Sequence, residues 1–201
     1  IQLYMDFSGT IDIVIGSAEI FDVKLPENFK QPFFSKNISE FWTRWHISLG
    51  AFLRDYIFYP LSLSKPLKKL TAWGRKRFGN YFGPLLSGAL ALLVVWLLNG
   101  LWHGAAWNYI FFGLYHFTLI ILADLFSPLI LKILKIFHIN RNNFFYRTLE
   151  MFKTTILVIF GELFFRAHGL QAGLQMFKKI FTAFDLTKFK ENILKLGLDK
   201  Y

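Results

Sequence analysis

The sequence predicts an all-α, polytopic integral membrane protein, a helical bundle with re-entrant or interfacial helices. Hydrophobic residues make up 54% and aromatic residues 19% of the 201 positions, which is high for a water-soluble domain. Residues 80–123 contain no Lys, Arg, Asp or Glu, and one bilayer crossing takes about 20 residues. The basic residues gather between apolar runs, as in 65–77, "KPLKKLTAWGRKR". That distribution is typical of cytoplasmic loops.

Net charge and cysteine content limit the binding partners and the kinds of site that the protein can have. A charge of +10 would point to nucleic acid in a soluble protein. Basic residues beside apolar segments favour anionic lipid headgroups instead, so we expect membrane lipid and no nucleic acid as a partner. The absence of cysteine excludes disulfides, thiolate metal sites and a cysteine acyl-enzyme. The His, Asp and Glu residues do not have the spacing of a metal site, so we predict that the protein binds no metal.

The first element is an apolar helix over residues 1–23 that carries Asp6, Asp12 and Glu19. Three acids are costly in lipid, so we expect them to face water or other protein. Residues 24–37 contain two prolines and are predicted to form a loop.

A second helical region is predicted over 38–59. Asn37 and Glu40 have the spacing of a capping box, and Glu40 with Arg44 forms an i,i+4 pair in the favourable order. We predict a break near Gly50. The region carries too many charges for a lipid-facing span, so a re-entrant or interfacial helix fits better.

The next three segments describe a surface helix and two crossings. Residues 63–78 set leucine and aromatic side chains against six basic ones, as in a helix that lies on the cytoplasmic membrane surface. Residues 83–103 and 105–126 are the two strong transmembrane predictions.

Three further segments complete the chain. Residues 127–143 are predicted to leave the bilayer into a basic loop. Residues 152–166 are predicted to form a shorter span with Glu162 inside. Residues 170–201 alternate Lys with Leu and Phe, so we expect an amphipathic interfacial helix followed by a linker.

Polar residues inside the longest uncharged segment are the first site candidates. Asn99 and His103 are four residues apart and share a helix face. Gly100 and Gly104 repeat at the same spacing, which lets another helix approach closely. An ionisable group within a membrane is a functional hypothesis by default, although His103 could also serve only as a hydrogen-bonding group between helices. We predict that His116 is a packing residue.

His46 is the second candidate, because aromatic side chains flank it in a helix predicted to lie beside the membrane. It is either the one polar member of an aromatic belt or a second polar group in the cavity of His103. A buried, neutral imidazole suits proton abstraction near neutral pH. His138 and His168 are expected at a loop and an interface.

Four blocks identify a family: "YMDFSGTIDIVIG", "LPENFKQPFFSKNISEFWTRWHISLGAFLRDYIFYPL", "NGLWHGAAWNYIFFGLYH" and "ELFFRAHGLQAGLQMF". Together, and in this order, they resemble the membrane-bound O-acyltransferase (MBOAT) family, above all its bacterial branch, whose members acetylate alginate or transfer D-alanine to lipoteichoic acid. The resemblance implies a fold of about eleven membrane helices. We therefore expect residues 1–201 to form one domain truncated at both ends, with the motif core in 38–126.

The resemblance also implies a reaction and a location. A thioester, either acyl-CoA or an acyl group on a phosphopantetheinyl carrier protein, would donate an acetyl or D-alanyl group, with no bound cofactor. The acceptor would be a hydroxyl of an extracytoplasmic polysaccharide or teichoic acid. The expected location is the bacterial plasma membrane, crossed several times. Expected partners are an acyl carrier protein on the cytoplasmic side and an extracytoplasmic acyltransferase.

The family pattern assigns catalysis to His103, with His46 lining the same channel. The residues predicted to contact substrate are Asn99, Trp102, Trp42 and Arg44. Two alternatives stay open at this point, a membrane transporter and a non-catalytic assembly subunit for export of cell-envelope polymers. Polar groups at mid-membrane also serve transporters, and the histidines of an assembly subunit would only pack.

Overall fold

The computed structural model describes residues 2–183 and 185–195, and within these the chain is helical without a β-strand. This confirms the predicted all-α class. A 3-10 turn, Pro32–Phe34, lies in the loop after the first helix, and a π-helical segment, Arg54–Phe58, joins α3 to α4. The helices are α1 (Gln2–Glu19), α2 (Ile38–Arg44), α3 (Ile47–Leu53), α4 (Tyr59–Ser62), α5 (Lys65–His103), α6 (Trp107–Ile136), α7 (Phe144–Arg166), α8 (Leu170–Thr182) and α9 (Leu186–Lys195).

Helix α1 packs on the following loop through one aromatic face. The ring of Tyr4 lies 5.6 Å from that of Phe29, and the ring of Phe7 lies 5.0 Å from it. The three acidic residues of this helix are all exposed.

The start of α2 has the predicted capping arrangement. The Asn37 side chain accepts a hydrogen bond of 2.8 Å from the Glu40 backbone N–H. The Glu40 carboxylate accepts one of 2.9 Å from the backbone of Lys36, one residue before the cap. Glu40 also pairs with Arg44 at 2.7 Å.

The predicted break near Gly50 is wrong, because the helix breaks four residues earlier, at His46. There the backbone turns left-handed, with φ 49° and ψ 54°. The loop before α2 supplies the reason: Phe29 forms an isolated β-bridge with Trp45. In addition, the backbone N–H of Ile47 donates to the Asn28 carbonyl at 3.1 Å. These tertiary bonds replace helical ones, and Gly50 lies inside α3.

Helix α5 consists of two arms that fold back on each other at Gly79, where φ is 79°. The arms meet at Gly74 and Gly83, whose backbones touch so closely that a Cβ at either would collide with the other arm. The hydroxyls of Thr71 and Ser87 are 2.6 Å apart across the fold. The predicted boundary between the basic segment 63–78 and the span 83–103 therefore coincides with a sharp bend.

The second arm of α5 and helix α6 form an antiparallel hairpin. Near its open end, the Tyr81 hydroxyl donates to the Asp124 carbonyl at 2.7 Å. Near its closed end, a Cβ at Gly100 would lie 2.6 Å from the Tyr109 carbonyl oxygen. Among the described residues, α5 and α6 are the two helices long and apolar enough to cross a membrane.

Two glycines bring the hairpin helices together, but they are not the predicted pair. Gly100 packs on α6 as predicted. Its counterpart is Gly113 of α6, where a Cβ would collide with the Trp96 carbonyl oxygen. Gly104 instead ends α5, with φ 155°.

Helix α7 lies antiparallel to α6. The Tyr115 hydroxyl donates to the Leu157 carbonyl at 2.8 Å, and the Asn108 amide donates to the Ala167 carbonyl at 3.3 Å. The helix begins at Phe144, eight residues before the predicted start. The amphipathic α8 follows, and residues 196–201 of the predicted tail lie outside the described residues.

Candidate active site

His46 and His103 line one cavity of about 630 Å³, although 56 residues of sequence separate them. The Trp102 ring lies 5.6 Å from that of His46 and 4.7 Å from that of His103. A second cavity, of about 530 Å³, shares His46 and Trp102 with the first. The side chains of His46 and Trp102 therefore line both cavities.

His103 is the last residue of α5, and its half-buried imidazole lies among aromatic rings. The Phe165 ring is 4.8 Å away and the Phe112 ring 6.1 Å away, in edge-to-face geometry. No hydrogen bond to the His103 ring occurs in the part of the chain that the structure describes. Both ring nitrogens are thus available to a substrate.

Asn99 lies one helical turn before His103 and lines the same cavity, as the i,i+4 spacing predicted. It is only 8% exposed. Its Oδ1 is shielded from solvent and has no hydrogen-bond partner among the described residues. A buried acceptor of this kind is uncommon in folded proteins and calls for an explanation.

His46 is held at the helix break by Asn28, a residue that the sequence did not single out. The Asn28 Oδ1 accepts from the Ser48 backbone N–H at 3.0 Å and from the Ser48 hydroxyl at 2.7 Å. The same oxygen lies 3.3 Å from His46 Nδ1. An amide oxygen can only accept, so a hydrogen bond at this distance requires the neutral His46 tautomer with its proton on Nδ1, which leaves Nε2 as an acceptor.

The surroundings of His46 favour that neutral form. The ring is half-buried, with the Phe7 ring 4.8 Å away, and burial lowers the pKa of His46. A non-glycine residue in the left-handed region costs of order 1–3 kcal/mol. Contacts from the Asn28 loop offset that cost, so the orientation of His46 depends on residues distant in sequence.

Trp42 lines the cavity, but its indole N–H is already engaged. It donates to Nδ1 of His116 at 3.3 Å. The structure places His116 in the core, fully buried and stacked on Trp96 with 5.5 Å between ring centroids. Trp42 can therefore offer a substrate its ring surface but not its N–H.

Arg44 is the predicted substrate residue that the structure leaves outside the cavity. Its guanidinium pairs with Glu40 at 2.7 Å, and it does not line the cavity. The cavity-lining arginine is Arg54, whose Nε donates to Asp55 at 2.8 Å. His138 and His168 are exposed and lie outside the cavity.

Three cavity-related residues escaped the sequence-based selection. Asn28 has no local signature, because its role depends on the contact between a loop and a distant helix break. Phe165 looks like an ordinary core residue. Glu162 did carry a signal, since it is an ionisable residue inside an apolar helix, and it lines the cavity. Among the described residues, no cluster of three His, Asp or Glu could hold a metal.

Comparisons with known proteins agree with the motif blocks. Residues 1–72 match the model of the membrane-bound O-acyltransferase family. The chain is 33% identical over 177 residues to a peptidoglycan O-acetyltransferase of Helicobacter pylori, an alignment that covers 88% of this chain and 29% of that protein.

Two further relatives carry related names. The "Probable alginate O-acetylase AlgI" of Azotobacter vinelandii is 34% identical over 92% of this chain and 32% of its own length. The teichoic acid D-alanyltransferase of Bacillus subtilis is 37% identical over 62% of this chain and 29% of its own length. The chain spans about a third of the length of the curated relatives it matches.

Proposed function

The chain belongs to the membrane-bound O-acyltransferase family, and from this premise we propose that it carries the reaction centre of an O-acyltransferase in the bacterial plasma membrane. The enzyme moves an acetyl or D-alanyl group from a cytoplasmic thioester to a hydroxyl of an extracytoplasmic polysaccharide or teichoic acid. His103 is the general base.

One observation carries the proposal: two histidines from separate sequence blocks line one cavity. His103 offers a half-buried imidazole with no internal hydrogen bond, which suits a base that must meet an incoming hydroxyl. His46 is fixed by Asn28 so that its other ring nitrogen, Nε2, remains an acceptor. Because the single proton of the attacking hydroxyl goes to His103, we assign His46 Nε2 the role of accepting a hydrogen bond from a neighbouring hydroxyl of the acceptor, which orients the acceptor in the cavity.

The reaction then proceeds by direct transfer. His103 takes the hydroxyl proton while the hydroxyl oxygen attacks the thioester carbonyl carbon and forms a tetrahedral oxyanion. The oxyanion collapses, the carbon–sulfur bond breaks, and the thiolate leaves with the proton held by His103. The products are an ester and a free thiol, and the base is regenerated. Since none of these 201 residues is a cysteine, none of them can form an acyl-cysteine.

The oxyanion needs hydrogen-bond donors. Existing hydrogen bonds within the protein reduce the number of side chains that could supply them. Trp42 is engaged with His116, and neutral His46 presents an acceptor. The amide NH₂ of Asn99 and the indole N–H of Trp102 remain, and both residues line the cavity. We assign the oxyanion to these two donors.

The hairpin supports opposite approach routes for the two substrates. Arg75, Lys76 and Arg77, which precede the bend in α5, and the basic turn after α6 lie at its open end, and His103 lies at its closed end. By the positive-inside rule the open end faces the cytoplasm. A carrier protein or acyl-CoA would dock there, whereas the polymer, together with an extracytoplasmic acyltransferase partner, would meet the opposite side.

The test replaces His103 with Ala in the full-length protein and measures base-labile acyl esters on the cell-surface polymer. We expect loss of the esters, because the variant lacks the imidazole that takes the hydroxyl proton. His168→Ala is the matched control, since His168 is exposed outside the cavity, and it should keep them. Undiminished acylation in His103→Ala cells would overturn the proposal and favour the transporter or the assembly subunit.

A further inference from the structure

Glu162 brings a carboxylate to the wall of the cavity beside His103. It lies on α7 one turn before Phe165, whose ring is 4.8 Å from the His103 ring. Residues three apart share a helix face, and both Glu162 and Phe165 line the cavity. The reaction proposed above does not use this carboxylate.

The Glu162 carboxylate has no protein partner among the described residues. Its Oε2 is shielded from solvent and accepts no hydrogen bond there. The described ion pairs leave it out as well, and Arg54, the cavity-lining arginine, is paired with Asp55 at 2.8 Å. Arg166, four residues on along α7, attracts Glu162 electrostatically but forms none of the described ion pairs with it. A shielded carboxylate outside an ion pair is costly, so the geometry calls for a cationic or hydrogen-bond-donating ligand.

Asn99 adds a second acceptor to the same cavity. Its Oδ1 is also shielded and without a partner in the described residues, one turn from His103. The cavity thus offers a carboxylate on α7, about one turn from Phe165, and an amide oxygen on α5, about one turn from His103. A methyl group in the cavity could not donate a hydrogen bond to either oxygen.

We propose that Glu162 and the Asn99 oxygen bind the ammonium group of an aminoacyl donor. This inference rests on the proposed function and specifies its substrate class. An ammonium group supplies several hydrogen-bond donors, and its positive charge strengthens a hydrogen bond to a carboxylate. In an α-aminoacyl thioester the ammonium is one bond from the carbon next to the reacting carbonyl, so its site must adjoin the base. The D-alanyl group meets this requirement, whereas the acetyl group has no donor for these oxygens.

The experiment compares two donors that differ only in this group. Membrane vesicles with the full-length protein and the host's envelope polymer receive the D-alanyl or the isobutyryl thioester of phosphopantetheine. The isobutyryl group puts a methyl where D-alanyl has its ammonium. The measurement is the ratio of D-alanyl to isobutyryl ester formed on the polymer.

We expect the wild-type protein to favour D-alanyl, and Glu162→Gln to lower the ratio at least about tenfold, the effect of losing one charge-assisted contact. Glu162→Asp should restore part of it, which separates lost charge from a folding defect. Glu150→Gln, the same change on α7 at a residue that does not line the cavity, should keep the wild-type ratio.

Two results of this comparison would overturn the ammonium site. One is a wild-type ratio near one. The other is an equal loss of both esters in Glu162→Gln, which would assign the carboxylate to the acceptor hydroxyl. The acetyl thioester, supplied as a third donor, separates the two claims. Acetyl ester without D-alanyl ester would overturn the ammonium site alone, whereas a wild-type protein that forms no ester from any of the three donors would refute the proposed acyl transfer itself.

Discussion

The two histidine walls of the cavity are built in opposite ways. His103 ends a long regular helix, and Asn99 reaches the cavity beside it through local helical spacing alone. His46 sits in a left-handed break between two seven-residue helices, and Asn28 holds it from a loop eighteen residues away. One wall is fixed by periodicity and the other by tertiary contact.

This difference predicts which substitutions should displace each wall. The His103 wall depends on close backbone packing between α5 and α6, so added volume at the contact should move it. The His46 wall depends on one amide oxygen that has three donors near it. Removing that oxygen should disturb the site while leaving the membrane hairpin in place.

Among the changes that compare the two walls, the largest expected effect is a loss of stability in the His103 wall. Gly113→Ala places a Cβ against the Trp96 carbonyl oxygen, and backbone atoms cannot turn aside as a side chain can. We expect destabilisation of about 1–3 kcal/mol, measured by thermal unfolding of the full-length protein in detergent. Gly88→Ala, on α5 with open space around its Cβ, should be neutral or stabilising. Equal unfolding temperatures for both variants would contradict the close packing.

The second effect is on turnover through the His46 wall. Asn28→Ala removes the acceptor that fixes the His46 ring, and a misplaced group in an active site costs up to about a hundredfold in rate. We expect kcat to fall roughly ten- to hundredfold, with little change in the donor KM. Asn28→Asp keeps an oxygen at this position and should recover part of the rate.

A wild-type kcat in Asn28→Ala would show that His46 needs no such support. A KM increase without a change in kcat would instead indicate that the loop serves substrate binding, not orientation.

Sequence reasoning predicted the parts of the fold that follow from local pattern. The hydrophobic run 80–123 and the Asn37 cap depend on neighbouring residues, and the helices form as predicted. The break at His46 could not be predicted, because the glycine at position 50 is the better local helix breaker. The contacts of the preceding loop, which are the bridge between Phe29 and Trp45 and the hydrogen bond from Ile47 to the Asn28 carbonyl, place the break at His46.

The candidate site divides along the same line. Asn99 and His103 lie together because helical spacing requires it. The partnership of Trp42 with His116 joins residues 74 positions apart, and no local pattern reports it. Arg44 is among the residues predicted to contact substrate, but the i,i+4 ion pair with Glu40, itself predicted from the sequence, engages its guanidinium.

The smallest expected effect concerns that arginine. Arg44→Ala removes a half-exposed ion pair worth about 0–1 kcal/mol and no cavity contact. We expect acyl transfer in membrane vesicles to remain close to wild type. A large drop in transfer would restore Arg44 as a substrate-binding residue and extend the site beyond the cavity.

The central claim is that His103 abstracts the hydroxyl proton, and the most direct measurement separates chemistry from binding. His103→Gln in the purified full-length protein keeps the side chain polar and of similar size but removes the base. We expect kcat to fall about a hundred- to ten-thousandfold, while the dissociation constant of the thioester donor stays near the wild-type value. A variant that binds the donor and turns over at the wild-type rate would contradict the account.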